Sequence, residues 1–189
     1  MDSSLDTDAA VVQKTLTEKD NFALLILRYE EKLSRYLRRL GVYSPEDRQD
    51  LLQDIFIKVY RNLNAFDTNL SFSSWIYRIA HNETMSWFRK RSVRPEHFMV
   101  SDSGAVLGML ASTDDSEALH ATQEVGEEIQ KGLALLPEKY RDVLTLRFFE
   151  EKSYEEIADI LQVPLGTVAT LVHRAKERLR KTTASTTHI

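Results

Sequence analysis

Cysteine is absent from this chain of 189 residues, which excludes disulfides, thiolate metal sites and thiol catalysis. Glycine and proline are scarce, at 6 and 4 residues, and the stretches between them are rich in helix formers, so the composition predicts an all-α protein. No glycine-rich phosphate loop and no pairing of nucleophile with base occurs; adjacent acids such as Glu155 and Glu156 read as charges favoured at a helix N-terminus. The five histidines, His81, His97, His120, His173 and His188, are scattered without metal-ligand spacing. Neither catalysis nor a metal or cofactor is expected. Long apolar runs are also missing, Ala23 to Leu27 being about the longest and far short of a membrane span. The opening residues Met1 to Asp8 are acidic and polar, the opposite of a signal peptide. The expectation is a soluble, cytoplasmic protein with no stable membrane insertion.

A basic excess is lacking too. The net charge is −4, low for a protein that holds nucleic acid unaided. Its distribution is more informative. Residues 1–91 carry 14 Lys/Arg against 13 Asp/Glu, residues 92–126 carry 1 against 6, and residues 127–189 carry 10 against 10. Two nearly neutral blocks therefore flank an acidic segment. Either the chain does not bind nucleic acid, or a larger partner supplies the missing affinity.

What is present is helical periodicity. Phe22, Leu25, Ile26, Tyr29, Leu33, Leu37 and Leu40 recur at three- and four-residue steps, and Gly41 follows as a terminator. Ser44-Pro45-Glu46-Asp47 reads as an N-cap, a first-turn proline and two dipole-favoured acids, opening a helix with Leu52, Ile55, Phe56, Val59 and Leu63 on its apolar side. A third helix runs from about Ser73 to Arg91. These patterns place one small helical domain at 20–92, after a flexible N-terminus over 1–19. Residues 93–121 lack clear periodicity and are too long for a loop inside a compact domain. They read as a flexible acidic linker able to reach roughly 95 Å when extended. A second domain is expected over 122–181, broken at Pro137, with a frayed tail at 182–189.

Within the second domain, Ser153 to Leu161, then Gln162-Val163-Pro164, then Leu165 to Leu179, form a helix-turn-helix pattern over 153–179. Ile157, Ala158 and Leu161 make an apolar stripe, Pro164 cannot continue the first helix, and Gly166-Thr167 begins the second. Val168, Val172, Ala175 and Leu179 then fall on one buried face. Such a unit usually lays its second helix in a DNA major groove. Arg174, Lys176, Arg178, Arg180 and Lys181 stand there against the single acid Glu177, as suits phosphate contacts, while Thr167, Ala169, Thr170 and His173 lie where base edges would be met.

Two other clusters stand out. Asp50, Gln53 and Asp54 share one helix face away from the apolar side, which is either a solvated face or a docking patch for a basic partner. The third helix interleaves Phe72, Trp75, Tyr77, Trp87 and Phe88 with Arg78, His81, Asn82, Arg89, Lys90 and Arg91. Aromatics among cations suit single-stranded nucleic acid, whose bases stack on rings while phosphates meet Lys and Arg. About half of those rings are expected to be packing alone, since the helix must bury one face.

Taken together, these segments resemble the bacterial sigma-70 family of RNA polymerase sigma factors, in the compact extracytoplasmic-function type that keeps regions two and four. Asp50-Leu51-Leu52-Gln53-Asp54 resembles its region 2.2. Phe72 to Asn82 resembles regions 2.3 and 2.4. Leu136-Pro137-Glu138-Lys139-Tyr140-Arg141, Ser153 to Ala158 and Gly166-Thr167-Val168 resemble region four. The resemblance implies that Asp50, Gln53 and Asp54 bind the β′ clamp helices of the polymerase core. It implies that Phe66, Phe72, Ser73, Trp75, Tyr77, Arg78, Asn82 and Arg89 open and read the minus-ten element as single strand. Gly166, Thr167, Ala169, Thr170, His173, Arg174 and Lys176 would read the minus-thirty-five element as duplex, in a domain that also grips the β flap. The acidic linker would thread toward the RNA exit path, and an anti-sigma factor would be a further partner. Core polymerase would then supply most of the DNA affinity, which accounts for the neutral charge balance.

The sequence departs from the family where Ala169 and Leu171 replace basic residues common in the recognition helix, and where Ser86 replaces an acid. Leu171 reads as widening the buried face beside Val168 and Val172, and Ala169 as a partner for a thymine methyl. The competing readings are a stand-alone helix-turn-helix regulator and a sigma-like decoy for an anti-sigma protein. The former needs a dimer interface and a sensor domain, and no coiled-coil heptad is visible, so no homo-oligomer is expected.

Overall fold

The computed structural model describes residues 6–67, 70–92 and 132–186; the linker expected at 93–121 and the start of the second domain at 122–131 lie outside them. Among the described residues all regular structure is helical, and no helix is long and apolar enough to cross a membrane.

A flexible N-terminus over 1–19 is what the polar composition predicts, and here the structure differs. Asp8–Thr17 forms α1, with the Thr7 hydroxyl accepting from the Ala10 amide at 3.3 Å as an N-cap. Val11 and Val12 are fully buried. The Asp8 carboxylate accepts from Arg28 at 3.0 Å and from the Tyr29 hydroxyl. Two adjacent valines make too short an apolar signal to reveal a helix by periodicity, yet they suffice to seat it.

The next three helices form the first bundle. α2 (Phe22–Leu40) buries Leu25, Tyr29, Leu33, Tyr36, Leu37 and Leu40. It ends at Gly41, whose φ of 114° only glycine adopts without strain, and the Gly41 and Val42 amides close onto the Arg38 and Leu37 carbonyls. α3 (Pro45–Asn62) starts as its sequence predicts, with the Ser44 hydroxyl accepting from Asp47 N at 3.2 Å, and it buries Leu51, Leu52, Ile55, Phe56 and Val59. A short 3-10 turn (Leu63–Ala65) leads toward α4 (Phe72–Ser92), which packs on both α2 and α3. Inside the bundle the Tyr36 hydroxyl and His81 Nδ1 lie 3.3 Å apart, and burial lowers the imidazole pKa to about 4.

In the second domain, α5 (Glu138–Leu144) runs directly into a π-helical turn (Thr145–Phe149). The helix-turn-helix follows as α6 (Tyr154–Leu161) and α7 (Leu165–Thr186). Ser153 caps α6 reciprocally: its hydroxyl accepts from Glu156 N at 3.2 Å while the Glu156 carboxylate accepts from Ser153 N at 2.8 Å. Gln162 closes α6 with φ 54°, and Pro164 precedes α7. The expected stripe shifts by one position. Ile157 and Ile160 are the buried residues of α6, whereas Ala158 and Leu161 pack at its margin. In α7, Val168, Val172 and Ala175 are buried. A tail frayed from residue 182 is not observed, because the α7 backbone stays helical to Thr186.

The two domains meet. α6 packs along α4, and α5 with the π turn packs against α2. Among the apolar contacts at the second domain's inner side sits Asp142, almost wholly buried, with Arg141 Nε 3.8 Å from its Oδ1. Burial raises this carboxyl from about 3.8 to about 7, with Arg141 opposing part of the shift. A folded-state pKa above the unfolded value means that stability is greatest at low pH and is lost as pH rises toward about 7. Asp142→Asn should therefore gain on the wild type, by on the order of 2 kcal/mol, between about pH 5 and about pH 8. Urea unfolding of both proteins at the two pH values measures this; an unchanged difference would mean that Asp142 is charged in the folded state throughout.

Candidate nucleic-acid interface

On α3, burial of Leu51, Leu52, Ile55 and Phe56 turns Asp50, Gln53 and Asp54 outward, and all three are exposed on one face. Among the described residues none of the three has a side-chain partner, in contrast to Asp47, which Arg91 holds at 2.5 Å. A pair of carboxylates and an amide left unpaired on a rigid helix is a set of acceptors for a cationic or hydrogen-bonding surface.

The start of α4 is built differently. Ring centroids of Phe66 and Phe72 lie 5.4 Å apart, Phe66 and Trp75 5.0 Å, and Phe72 and Trp75 5.6 Å. Tyr29 closes the group on Phe72 at 5.5 Å. Phe66 and Phe72 are buried, and Trp75 keeps part of its ring at the surface. The cluster pins the loop after the 3-10 turn to the first turn of α4, so two of the rings expected to meet bases are packing groups that support the third.

Tyr77 is likewise interior. Its hydroxyl donates to Glu150 Oε2 at 2.5 Å, its ring lies 5.1 Å from that of Tyr36, and the Lys152 ammonium sits 4.7 Å over its face. Burial, and then the Glu150 charge, push the phenol far above its ordinary range. Three more of the expected strand-reading or neighbouring residues are engaged by the second domain. Ser73 Oγ accepts from Lys152 Nζ at 2.6 Å, Ser74 Oγ donates to Glu156 at 3.1 Å, and Arg78 donates to Asp159 at 2.7 Å. Asn82 and Arg89 are exposed. Arg89, which donates to Ser86 Oγ at 2.9 Å, lies about 25 Å along the helix from Phe72 by helical rise and does not join the same site.

The face of α7 is open. Gly166, Thr167, Ala169, Thr170, His173, Arg174 and Lys176 are all exposed while Val168, Val172 and Ala175 point inward. Leu171 is half-buried beside Val172, as its apolar character predicts, and Ala169 is exposed. The Thr170 hydroxyl donates to the Gly166 carbonyl at 3.1 Å, leaving its lone pairs outward. Of the basic strip, Lys176 lies 4.8 Å over the exposed ring of Phe148 and Arg178 5.0 Å over Tyr140, so part of the strip also packs.

The residues that sequence reasoning misses are Arg39, Glu150, Lys152 and Asp159. Each pairs with a partner roughly eighty or more positions away, or, for Arg39 and Glu150, more than a hundred, and no local period encodes such pairing.

Comparison with known proteins agrees with this layout. Residues 25–94 match the family model for sigma-70 region 2, and residues 126–179 match that for sigma-70 region 4. The ECF RNA polymerase sigma factor SigW of Bacillus subtilis is 34% identical over 170 residues, covering 87% of this chain and 89% of SigW. The ECF RNA polymerase sigma-E factor of Escherichia coli K12 is 33% identical over 182 residues, covering 92% of each. Among solved structures, CnrH bound to the cytosolic domain of CnrY superposes with a TM-score of 0.68 at 20% identity, covering 93% of this chain and 96% of CnrH. RpoE of Bartonella quintana, bound to the anti-sigma factor NepR, gives 0.64 at 24% identity, covering 86% and 96%.

Burial separates packing rings from exposed groups on α4. Phe72→Ala should cost about 3–5 kcal/mol of stability, as for other buried phenylalanines, whereas Asn82→Ala should stay within about 0.5 kcal/mol. Urea denaturation of the two variants checks this, and a mild Phe72→Ala would remove the ring from the core.

Proposed function

The chain belongs to the sigma-70 family of RNA polymerase sigma factors, in its extracytoplasmic-function type, and from that premise we propose how its two domains divide the work of promoter recognition. As a sigma factor it directs core polymerase to specific promoters and takes part in opening them. In our reading, Asp50, Gln53 and Asp54 dock on the β′ clamp helices, with the exposed and unpartnered state of all three on α3 as support. Trp75, Ser73, Arg78 and Asn82 meet the opened minus-ten strand, while Phe66, Phe72 and Tyr77 hold that surface in shape and Arg89 extends it toward upstream phosphates. Thr167, Ala169, Thr170 and His173 approach base edges of the minus-thirty-five duplex, and Arg174 and Lys176 approach its backbone. The second domain also grips the β flap. An anti-sigma factor is a further partner in this reading; of two solved proteins of the same fold, one is bound to the anti-sigma factor NepR and the other to the cytosolic domain of CnrY.

One observation carries the proposal most. α7 offers seven exposed positions on one face above a buried seam of Val168, Val172 and Ala175, which is the geometry a recognition helix needs in a major groove. The neutral charge balance fits a factor whose affinity for DNA comes largely from the polymerase.

The docking patch is tested by replacing Asp50, Gln53 and Asp54 with Ala together. Stability should move by no more than about 0.5 kcal/mol per site, and assembly with core polymerase should weaken roughly tenfold or more, as for central interface residues. Native gel titration reads the assembly, and unchanged assembly would return the patch to a solvated face.

For the duplex reader, Arg174→Ala should lower the salt slope of holoenzyme–promoter binding by about 0.9 with the preferred sequence unaltered. Thr170→Ala should instead shift base preference. Binding selections from a randomised minus-thirty-five library distinguish the two. The opposite pattern, with Arg174→Ala changing bases and Thr170→Ala changing only salt dependence, would show that α7 sits differently in the groove.

A further inference from the structure

Three guanidinium groups, from α2, α3 and α5, gather at the turn that follows Gly41. Arg48, near the start of α3, folds back and donates to the Val42 carbonyl at 3.0 Å and the Tyr43 carbonyl at 2.7 Å. Arg141 reaches the same turn from the second domain. Its Nη1 stands 3.7 Å from the position that a β-carbon on Gly41 would take, with the Phe88 ring on the other side at 3.5 Å. Arg38, in the last turn of α2, is the third, and its charge acts on both the Arg48 guanidinium and the Tyr43 phenol. Burial raises that phenol, while Arg141 and then Arg38 pull it down.

Part of this gathering is local chemistry. The negative end of the α2 dipole favours cations, and Arg48 satisfies two turn carbonyls as a cap. Neither reason accounts for Arg38 and Arg141. Among the described residues no carboxylate pairs with Arg38 or Arg48. Arg141 has Asp142 at 3.8 Å, beyond hydrogen-bond reach, and its Nε is buried without an acceptor. Because burial raises Asp142 to about 7, that carboxyl offsets the charge only in part near neutral pH. Other acids of these elements are engaged elsewhere: Asp47 accepts from Arg91 at 2.5 Å, and Glu150 from Arg39 at 2.9 Å. Cations withdrawn from water without matching charge are costly, and guanidinium forks bind phosphate oxygens in pairs.

We propose that Arg38, Arg48 and Tyr43 of the first domain and Arg141 of the second form a binding site for a small phosphorylated anion of two or more charges. None of the four is assigned to promoter or polymerase, and the site lies beside Phe88, about 22 Å along α4 from Ser73 by helical rise. All four side chains are half-buried, and Arg141 keeps 16% of its side chain exposed. Such a corner admits a free solute more readily than the backbone of a rigid duplex. A ligand there bridges the two domains and stabilises the chain in proportion to its occupancy.

The test uses the full chain, free of polymerase. Sodium pyrophosphate is titrated in, at ionic strength held constant with sodium chloride, and binding is followed by phosphorus NMR line broadening. The wild type should bind saturably, one anion per chain. Arg38→Gln and Arg141→Gln should each weaken binding roughly tenfold or more, as expected for loss of a charge-assisted hydrogen bond. The control is Arg61→Gln, the same charge change at an exposed position about 20 Å along α3 from Arg48 by helical rise. It should stay within about twofold of the wild type, because salt screens a charge at that distance. Should Arg141→Gln fail to fold, Arg141→Lys carries that arm, keeping the charge and losing the fork, with a smaller loss. No saturable binding by the wild type, or equal affinities for all the variants, would overturn the site. A loss with Arg38→Gln and none at Arg141 would overturn the bridge between domains. Displacement of pyrophosphate by random-sequence duplex DNA would overturn the small ligand and give the site to a backbone phosphate.

Discussion

Glu150 accepts the Arg39 guanidinium on one oxygen and the Tyr77 hydroxyl on the other, joining three elements that are distant in sequence. A buried carboxylate is tolerable only when its charge is matched, and removing one partner of such a set leaves an uncompensated ion. The arrangement around it follows from that requirement. Arg39 needs α2 to run its full length to Gly41, Tyr77 needs the aromatic cluster at the start of α4, and Glu150 needs the π turn. That turn lets the Glu150 amide bond back to the Thr145 carbonyl at 3.1 Å, which ends α5 with Phe149 and Glu150 both turned toward α2. An ordinary α-helical ending would rotate these side chains away.

Much of the fold is legible in the chain because its determinants are local. Ser44-Pro45 and Gly41 mark helix ends by backbone chemistry alone, and the Leu33, Leu37, Leu40 repeat names the buried side of α2. The helix-turn-helix is readable for the same reason, since a capping serine, a proline closing a three-residue turn and a valine seam act within a few positions of themselves. α1 escapes notice because Val11 and Val12 are adjacent rather than periodic, and its anchor, Asp8 on Arg28 and Tyr29, is formed with another helix. The margin between Ile160 and Leu161 in α6 is decided by packing against α4, which composition cannot express.

The site shows the same division. Exposure of Asp50, Gln53 and Asp54 follows from the apolar pattern of α3, and exposure of the α7 face from its valine seam. The aromatic set on α4 is harder to read, because an identical ring can stack on a base or on another ring. Phe66, Phe72 and Tyr77 turn out to be interior, with Trp75 at the edge, because Phe66 returns against Phe72 and Trp75 while Tyr36, Glu150 and Lys152 enclose Tyr77. Charge alone hides the junction as well. Two neutral blocks give no hint that Lys152, Glu150 and Asp159 of one block satisfy groups of the other, yet those pairings join the blocks in a chain of net charge −4.

The central claim is that the junction at Glu150 holds the two domains together in the free chain. With no native cysteine in the sequence, spin labels can be placed selectively through Glu30→Cys and Glu155→Cys, both at exposed positions, one in each domain. Electron–electron distance measurement should return one narrow distance for the chain and a broader, longer distribution once Glu150→Ala removes the junction. A broad distribution already present with Glu150 in place, and unchanged by Glu150→Ala, would contradict the account.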